Sequence, residues 1–63
     1  MYKIKILREE KHLTQDELAT KSGVARSLIN QLETGKLTST TTDTLNKLAI
    51  ALNCKITDLF ISV

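Results

Sequence analysis

Four polar residues in the run Ala25–Gly35, ARSLINQLETG, are the ones whose chemistry stands out: Arg26, Ser27, Asn30 and Gln31. At 100° per residue they fall on one side of a helix, while Ala25, Ile29 and Leu32 fall on the other. One guanidinium, two amides and a hydroxyl on an apolar back make a surface that can read base edges. Arginine pairs bidentately with guanine, and asparagine or glutamine with adenine. An ordinary solvated helix face has the same composition, and this segment alone does not separate the two.

The neighbouring residues supply a frame for that helix. Thr14 followed by Glu17 is a capping box, in which hydroxyl and carboxylate satisfy N–H groups at a helix start. Leu18 and Ala19 give the helix a small inward face, and Gly23 stands where a left-handed residue ends it. Val24 and Ala25 leave room only for a tight turn before the next helix, which ends at Gly35. Residues 14 to about 34 thus read as two short helices joined by a turn.

Outside this unit, Tyr2–Lys11 reads as a first helix, with Ile4, Leu7, Arg8 and Lys11 along one stripe. A fourth starts at Thr41 or Thr42, either of which can cap, with Asp43 complementing the helix dipole. Leu45, Leu48, Ala49 and Leu52 form its apolar side and Asn53 stops it. Ile56, Leu59 and Phe60 make about one turn of a fifth. His12 lies between the first helix and Leu13 and suits a left-handed turn position. Arg8 and Glu33 each sit at the edge of an apolar stripe, angled toward one core, and are best explained as a structural ion pair.

The ordered series Arg8, Leu13, Thr14-Gln15, Glu17-Leu18-Ala19, Gly23-Val24, Ile29, Leu32-Glu33, Gly35-Lys36, Leu45, Leu48-Ala49, Leu52 and Leu59 resembles the helix-turn-helix family of phage lambda repressor and Cro, also called XRE. The resemblance runs from about residue 4 to 60. It implies an all-α, five-helix, lambda-repressor-like DNA-binding domain whose third helix enters the major groove, and an Arg8–Glu33 pair joining the first helix to the third. It implies too that Gln15 contacts the DNA backbone and braces the first reading residue, Arg26. Arg26, Ser27 and Gln31 are then the expected base readers, with Asn30 facing bases or the flanking backbone and Leu28 assigned first to core packing. Thr14, Gln15, Lys36, Thr38 and Ser39 are the expected backbone contacts, since short donors and a lysine beside a reading helix position it without specifying sequence. The chain departs from the family at Ala25 and Lys55, where a capping side chain is usual, and at His12, where glycine is usual.

Sixty-three residues allow one domain, 1–63, and bury only about 60% of the unfolded surface, which makes a partner plausible. Ile6 and Ile50 fall on the polar sides of their helices, and Phe60, Ile61 and Val63 add apolar surface near the C-terminus. We expect residues 56–63 to carry a two-fold dimer contact through Phe60, Ile61 and Val63, with Ile50 contributing.

Nine Lys and Arg against seven Asp and Glu give a net charge of +2, so a basic patch must come from placement. One cysteine, Cys54, excludes an intrachain disulfide, and one histidine with no ligand cluster argues against a metal site. Triads, paired carboxylates and phosphate loops are absent from the sequence, which argues against an enzyme and implies no cofactor. With no signal peptide or membrane-spanning run, the expected setting is cytoplasmic, with neither a membrane nor a small-molecule partner.

The reading is a transcriptional repressor that binds double-stranded DNA as a homodimer on a palindromic operator, regulated by occupancy and protein concentration. The alternative is a protein-interaction module of antitoxin or antirepressor type on the same fold. Arg26, Gln31, Gln15 and Lys36 together argue against it, because such a module need not keep both readers and phosphate anchors.

Overall fold

The computed structural model describes residues 2–37 and 39–60; Thr38, Ile61 and Val63 lie outside them, and so do the roles expected of those three. Four α-helices follow in order: α1 (Ile4–Glu10), α2 (Gln15–Ser22), α3 (Arg26–Thr34) and α4 (Thr42–Ala51). A 3-10 turn at Ile56–Leu59 completes them, and no strand forms among the described residues. The all-α expectation therefore holds, with one difference in its last element. Four residues are too few to build an α-helical ladder, and the segment closes instead through an Asp58 N–H to Lys55 carbonyl bond of 2.9 Å. The Asp58 carboxylate accepts from the Lys55 N–H at 3.0 Å, while the lysine side chain offers no acceptor to the first N–H groups.

The first helix starts two residues later than periodicity predicts. Tyr2 is drawn into an isolated antiparallel bridge with Phe60, their rings 5.4 Å apart and tilted by 52°. The Lys3 N–H donates to the Leu59 carbonyl at 2.6 Å. Pairing with the far end of the chain wins over two extra helical residues, because Lys3 offers no capping side chain and the first turn holds no acid.

Helix ends follow the local sequence closely. Thr14 Oγ1 accepts from the Glu17 N–H at 3.0 Å, and Glu17 Oε1 accepts from the Thr14 N–H at 2.9 Å, closing the capping box. Thr41 Oγ1 caps α4 by accepting from the Thr44 N–H at 3.2 Å. Gly23 ends α2 at φ +76°, and a Cβ there would meet nothing within 4 Å. Glycine is needed at this position for its conformation and not for space.

His12 (φ +57°) and Asn53 (φ +54°) take the left-handed position without being glycine. Each lies inside a Schellman motif. After α1 the Leu13 N–H reaches the Arg8 carbonyl and the His12 N–H that of Glu9; after α4 the Cys54 N–H reaches Ala49 and the Asn53 N–H reaches Ile50. These bonds satisfy the last carbonyls of each helix and hold the side chain in its disfavoured region.

α2 packs against α3 and α4, α1 against α3, and the 3-10 turn against α4. Ile4, Leu18, Ile29, Leu32, Leu48, Leu52 and Leu59 are fully buried between them. With Tyr2 and Phe60 the only aromatic residues in the sequence, the core is aliphatic. Ala25 is a correction: it precedes α3 as an exposed N-cap residue and does not share the inner face with Ile29 and Leu32. Ile6 and Ile50 are exposed by 53% and 71%, as their polar-side positions predict.

Between α1 and α3 lies the expected ion pair. Arg8 Nε donates to Glu33 Oε2 at 2.8 Å and Nη2 to Oε1 at 3.1 Å, while Nη1 donates to the Leu13 carbonyl at 2.7 Å. The side chains of Arg8 and Glu33 are only 12% and 2% exposed. The hydrogen bond to Glu33 raises the Arg8 guanidinium above its ordinary value against the opposing effect of burial.

Two predictions follow from these contacts. Arg8→Ala leaves a buried carboxylate without its counter-charge, which costs about 3–5 kcal/mol. A chain of this length has a total stability on the order of 3–9 kcal/mol. Urea titration of the variant should therefore find most or all of the native state lost, and an unchanged midpoint would refute the pairing. The Thr14 N–H and hydroxyl hold Glu17 below the ordinary glutamate value. Its contribution is complete above the unfolded-state pKa and disappears as pH falls through the lower folded value. Glu17→Gln should flatten that acid limb in melting temperature against pH, leaving the neutral-to-alkaline side parallel to wild type.

Candidate nucleic-acid interface

The turn between α2 and α3 is short because each residue in it has a fixed task. Gly23 reverses the backbone, the Val24 N–H donates to Ser22 Oγ at 3.2 Å, and the Val24 side chain is buried. α3 then starts from Ala25 with no side-chain cap on its first N–H groups. Burial of Ile29 and Leu32 fixes its rotation about its own axis, and partly buried Leu28 packs against the same core. Leu28 thus takes the core role assigned to it first.

With that rotation fixed, Arg26, Ser27, Asn30 and Gln31 are all exposed. The structure brings the four expected readers onto one solvent-facing side of a single short helix. Lys36, exposed, follows the left-handed Gly35 (φ +81°) that ends α3, and Ser39 is exposed further along the connection. Thr14 is exposed at the start of α2, while Gln15 is half-buried.

Gln15 behaves differently from expectation. Gln15 Nε2 donates to Glu33 Oε1 at 3.0 Å, so its amide is tied into the Arg8–Glu33 pair and does not brace Arg26. Glu33 sits seven residues beyond Arg26, and its carboxylate offers buried acceptors that a guanidinium lacks. The contact on Arg26 comes from Asp16: Arg26 Nη1 lies 3.2 Å from Asp16 Oδ1 and 3.3 Å from Oδ2. Sequence reasoning missed Asp16. It stands ten residues from Arg26, across a turn, and no helical spacing relates the two.

This surface offers hydrogen-bond donors and acceptors to a partner. It carries two cations, Arg26 and Lys36, one acid, Asp16, and a set of amides and hydroxyls. Of two surface depressions of about 480 and 410 Å³, the first is lined by Ala49, Ile50, Asn53, Cys54, Lys55 and Asp58, and the second, which borders this surface at Asp16, by Leu13, Asp16, Glu17, Thr20 and Lys21. Neither is lined by an α3 residue. Burial, helped by the nearby Asp58 charge and opposed by Lys11, raises the Cys54 thiol above its ordinary value and keeps it protonated at neutral pH. Among the described residues no three His, Cys, Asp or Glu side chains form a group able to hold a metal ion. No described helix is long and apolar enough to cross a membrane.

Comparison with known families agrees with this geometry. A family model described as helix-turn-helix matches residues 4–59, from the first residue of α1 to the last of the 3-10 turn. Comparison with curated proteins gives no match. The match spans most of the chain and includes the capping box, the Gly23 turn, the exposed side of α3 and the Arg8–Glu33 pair. The chain therefore belongs to the lambda repressor and Cro-like, XRE helix-turn-helix family, and its fold is that of a DNA-binding domain of the transcription-regulator type.

Proposed function

We propose that this protein is a sequence-specific repressor that binds a palindromic operator as a homodimer, with α3 of each protomer in the major groove. The observation that carries the reading is the two-sidedness of α3. Ile29 and Leu32 are buried while Arg26, Ser27, Asn30 and Gln31 are all exposed, so the helix presents its donors and acceptors outward on a fixed back. Arg26, Ser27 and Gln31 read bases, and Asn30 reaches bases or the flanking backbone. Thr14, Gln15, Lys36, Thr38 and Ser39 engage phosphates, Gln15 through the part of its side chain and backbone not committed to Glu33.

The dimer contact uses the C-terminal end with Ile50. Ile50 and Phe60 are 71% and 43% exposed, and Phe60 also packs on Tyr2 of its own chain. Ile61 and Val63 complete the contact in this reading. Two α3 helices related by a two-fold axis place half-sites about one helical turn, roughly 34 Å, apart.

Selection of bound duplexes from a random pool tests the whole reading, since it reports half-site, spacing and symmetry together. Affinity of the selected duplex should fall steeply with salt. A flat salt response would favour a protein-interaction module instead. Arg26→Ala should cost about 1–3 kcal/mol and relax preference at one base pair. Lys36→Ala should weaken all sequences alike and lower the salt slope by about 1. Identical behaviour of the two variants across operator changes would end the division into readers and anchors. Ile50→Asp should weaken dimerisation in sedimentation equilibrium while leaving the melting of the monomer within a few degrees of wild type. An unshifted dimer constant would remove Ile50 from the contact.

A further inference from the structure

The contact between Asp16 and Arg26 has no evident purpose in folding. Both side chains are largely exposed, 72% and 61%, and an ion pair in that setting contributes little to stability. Its placement is nonetheless well defined. Asp16 lies in the first turn of α2, which the Thr14–Glu17 capping box fixes on one side and the Gln15–Glu33 hydrogen bond fixes on the other. Consecutive residues of α2 therefore touch opposite ends of α3: Gln15 meets Glu33 near the helix end, and Asp16 meets Arg26 at its first residue.

We propose that Asp16 is a specificity-determining positioning residue, which holds the Arg26 guanidinium in the orientation that reads guanine. The proposal rests on the DNA-binding reading above and deepens it. Asp16 engages Nη1 of Arg26 with both carboxylate oxygens, at 3.2 and 3.3 Å. A guanidinium has five N–H donors in a planar fork. Guanine N7 and O6 require two of them, in parallel, so a fork anchored through Nη1 keeps enough donors for a bidentate contact. Anchoring also removes much of the rotational freedom of a long side chain before DNA arrives.

The carboxylate has a second effect. It stands beside the expected phosphate contacts of Thr14 and Gln15, where an uncompensated negative charge repels the duplex. Arg26 neutralises it, so loss of Arg26 removes a base contact and exposes a repulsive acid together. Asp16 thus penalises any arrangement in which Arg26 is absent or turned away.

The test is a set of variants, Asp16→Asn, Asp16→Ala, Arg26→Ala and Arg26→Ala/Asp16→Ala, measured on the selected operator and on duplexes changed one base pair at a time. Asp16→Asn should reduce discrimination at the position where Arg26→Ala does, by on the order of tenfold, and leave discrimination at other positions unchanged. Affinity for random duplex should rise in the same variant, because a negative charge is lost. Arg26→Ala/Asp16→Ala should bind more tightly than Arg26→Ala alone. Melting temperatures of the Asp16 variants should stay within a few degrees of wild type, since Asp16 accepts no bond in the capping box.

A uniform change on every duplex, with discrimination intact at the Arg26 position, would overturn the proposal and leave the DNA-binding reading standing. Wild-type protein that binds no duplex at either low or high salt would overturn both.

Discussion

Everything in this small protein depends on the carboxylate of Glu33. It is almost fully buried, and a buried charge is tolerated only when it is paired and hydrogen-bonded. Arg8 of α1 meets it with two donors and Gln15 of α2 with a third, while the remaining Arg8 amino group holds the Leu13 carbonyl. One carboxylate on α3 therefore fixes α1, the connection after it, and the first turn of α2. The apolar core is made of interchangeable aliphatic shapes and could tolerate small slides. Directional bonds to a single buried charge do not, and they set the register in which that core packs.

This register is also what exposes the recognition side of α3. The helix has only nine residues and no side-chain cap at its start, so its own propensity is a weak guarantee of its position. Burial of Ile29 and Leu32 sets its rotation, and the Glu33 network sets its distance and angle to α2. Stability and recognition are divided between two sides of the same element. The charged group that matters most for folding faces inward, seven residues beyond the charged group expected to read bases.

The charge distribution gives the interface a particular character. Arg26, Lys36 and Asp16 stand among neutral amides and hydroxyls, and in the proposed reading hydrogen-bond geometry carries more of the discrimination than charge does. Asp16 is paired with Arg26, the side chain proposed to read guanine. Among the described residues the large exposed apolar side chains, Ile6, Ile50 and Phe60, belong to α1, α4 and the Tyr2–Phe60 bridge, none of them to α3.

Local chemistry was legible in the sequence wherever a residue acts within a few positions of itself. The Thr14–Glu17 box, the left-handed Gly23, Gly35 and His12, the buried stripe of α4 and the exposed side of α3 all follow from spacing and side-chain type. Arg8 and Glu33, although 25 residues apart, were legible because each charge sits on the edge of an apolar stripe and needs a partner. Three features were not. Tyr2 leaves α1 to pair with Phe60 across nearly the whole chain, Gln15 turns inward to Glu33, and Asp16 takes the place beside Arg26. Each depends on which groups two packed elements bring within about 3 Å. The sequence by itself determined the four α-helices, their capped ends and most of their apolar sides, because those arise from neighbours along the backbone. Only the tertiary structure decided that Gln15 meets Glu33 and Asp16 meets Arg26, because short-range hydrogen bonding is settled by the crossing of helices that no local pattern encodes.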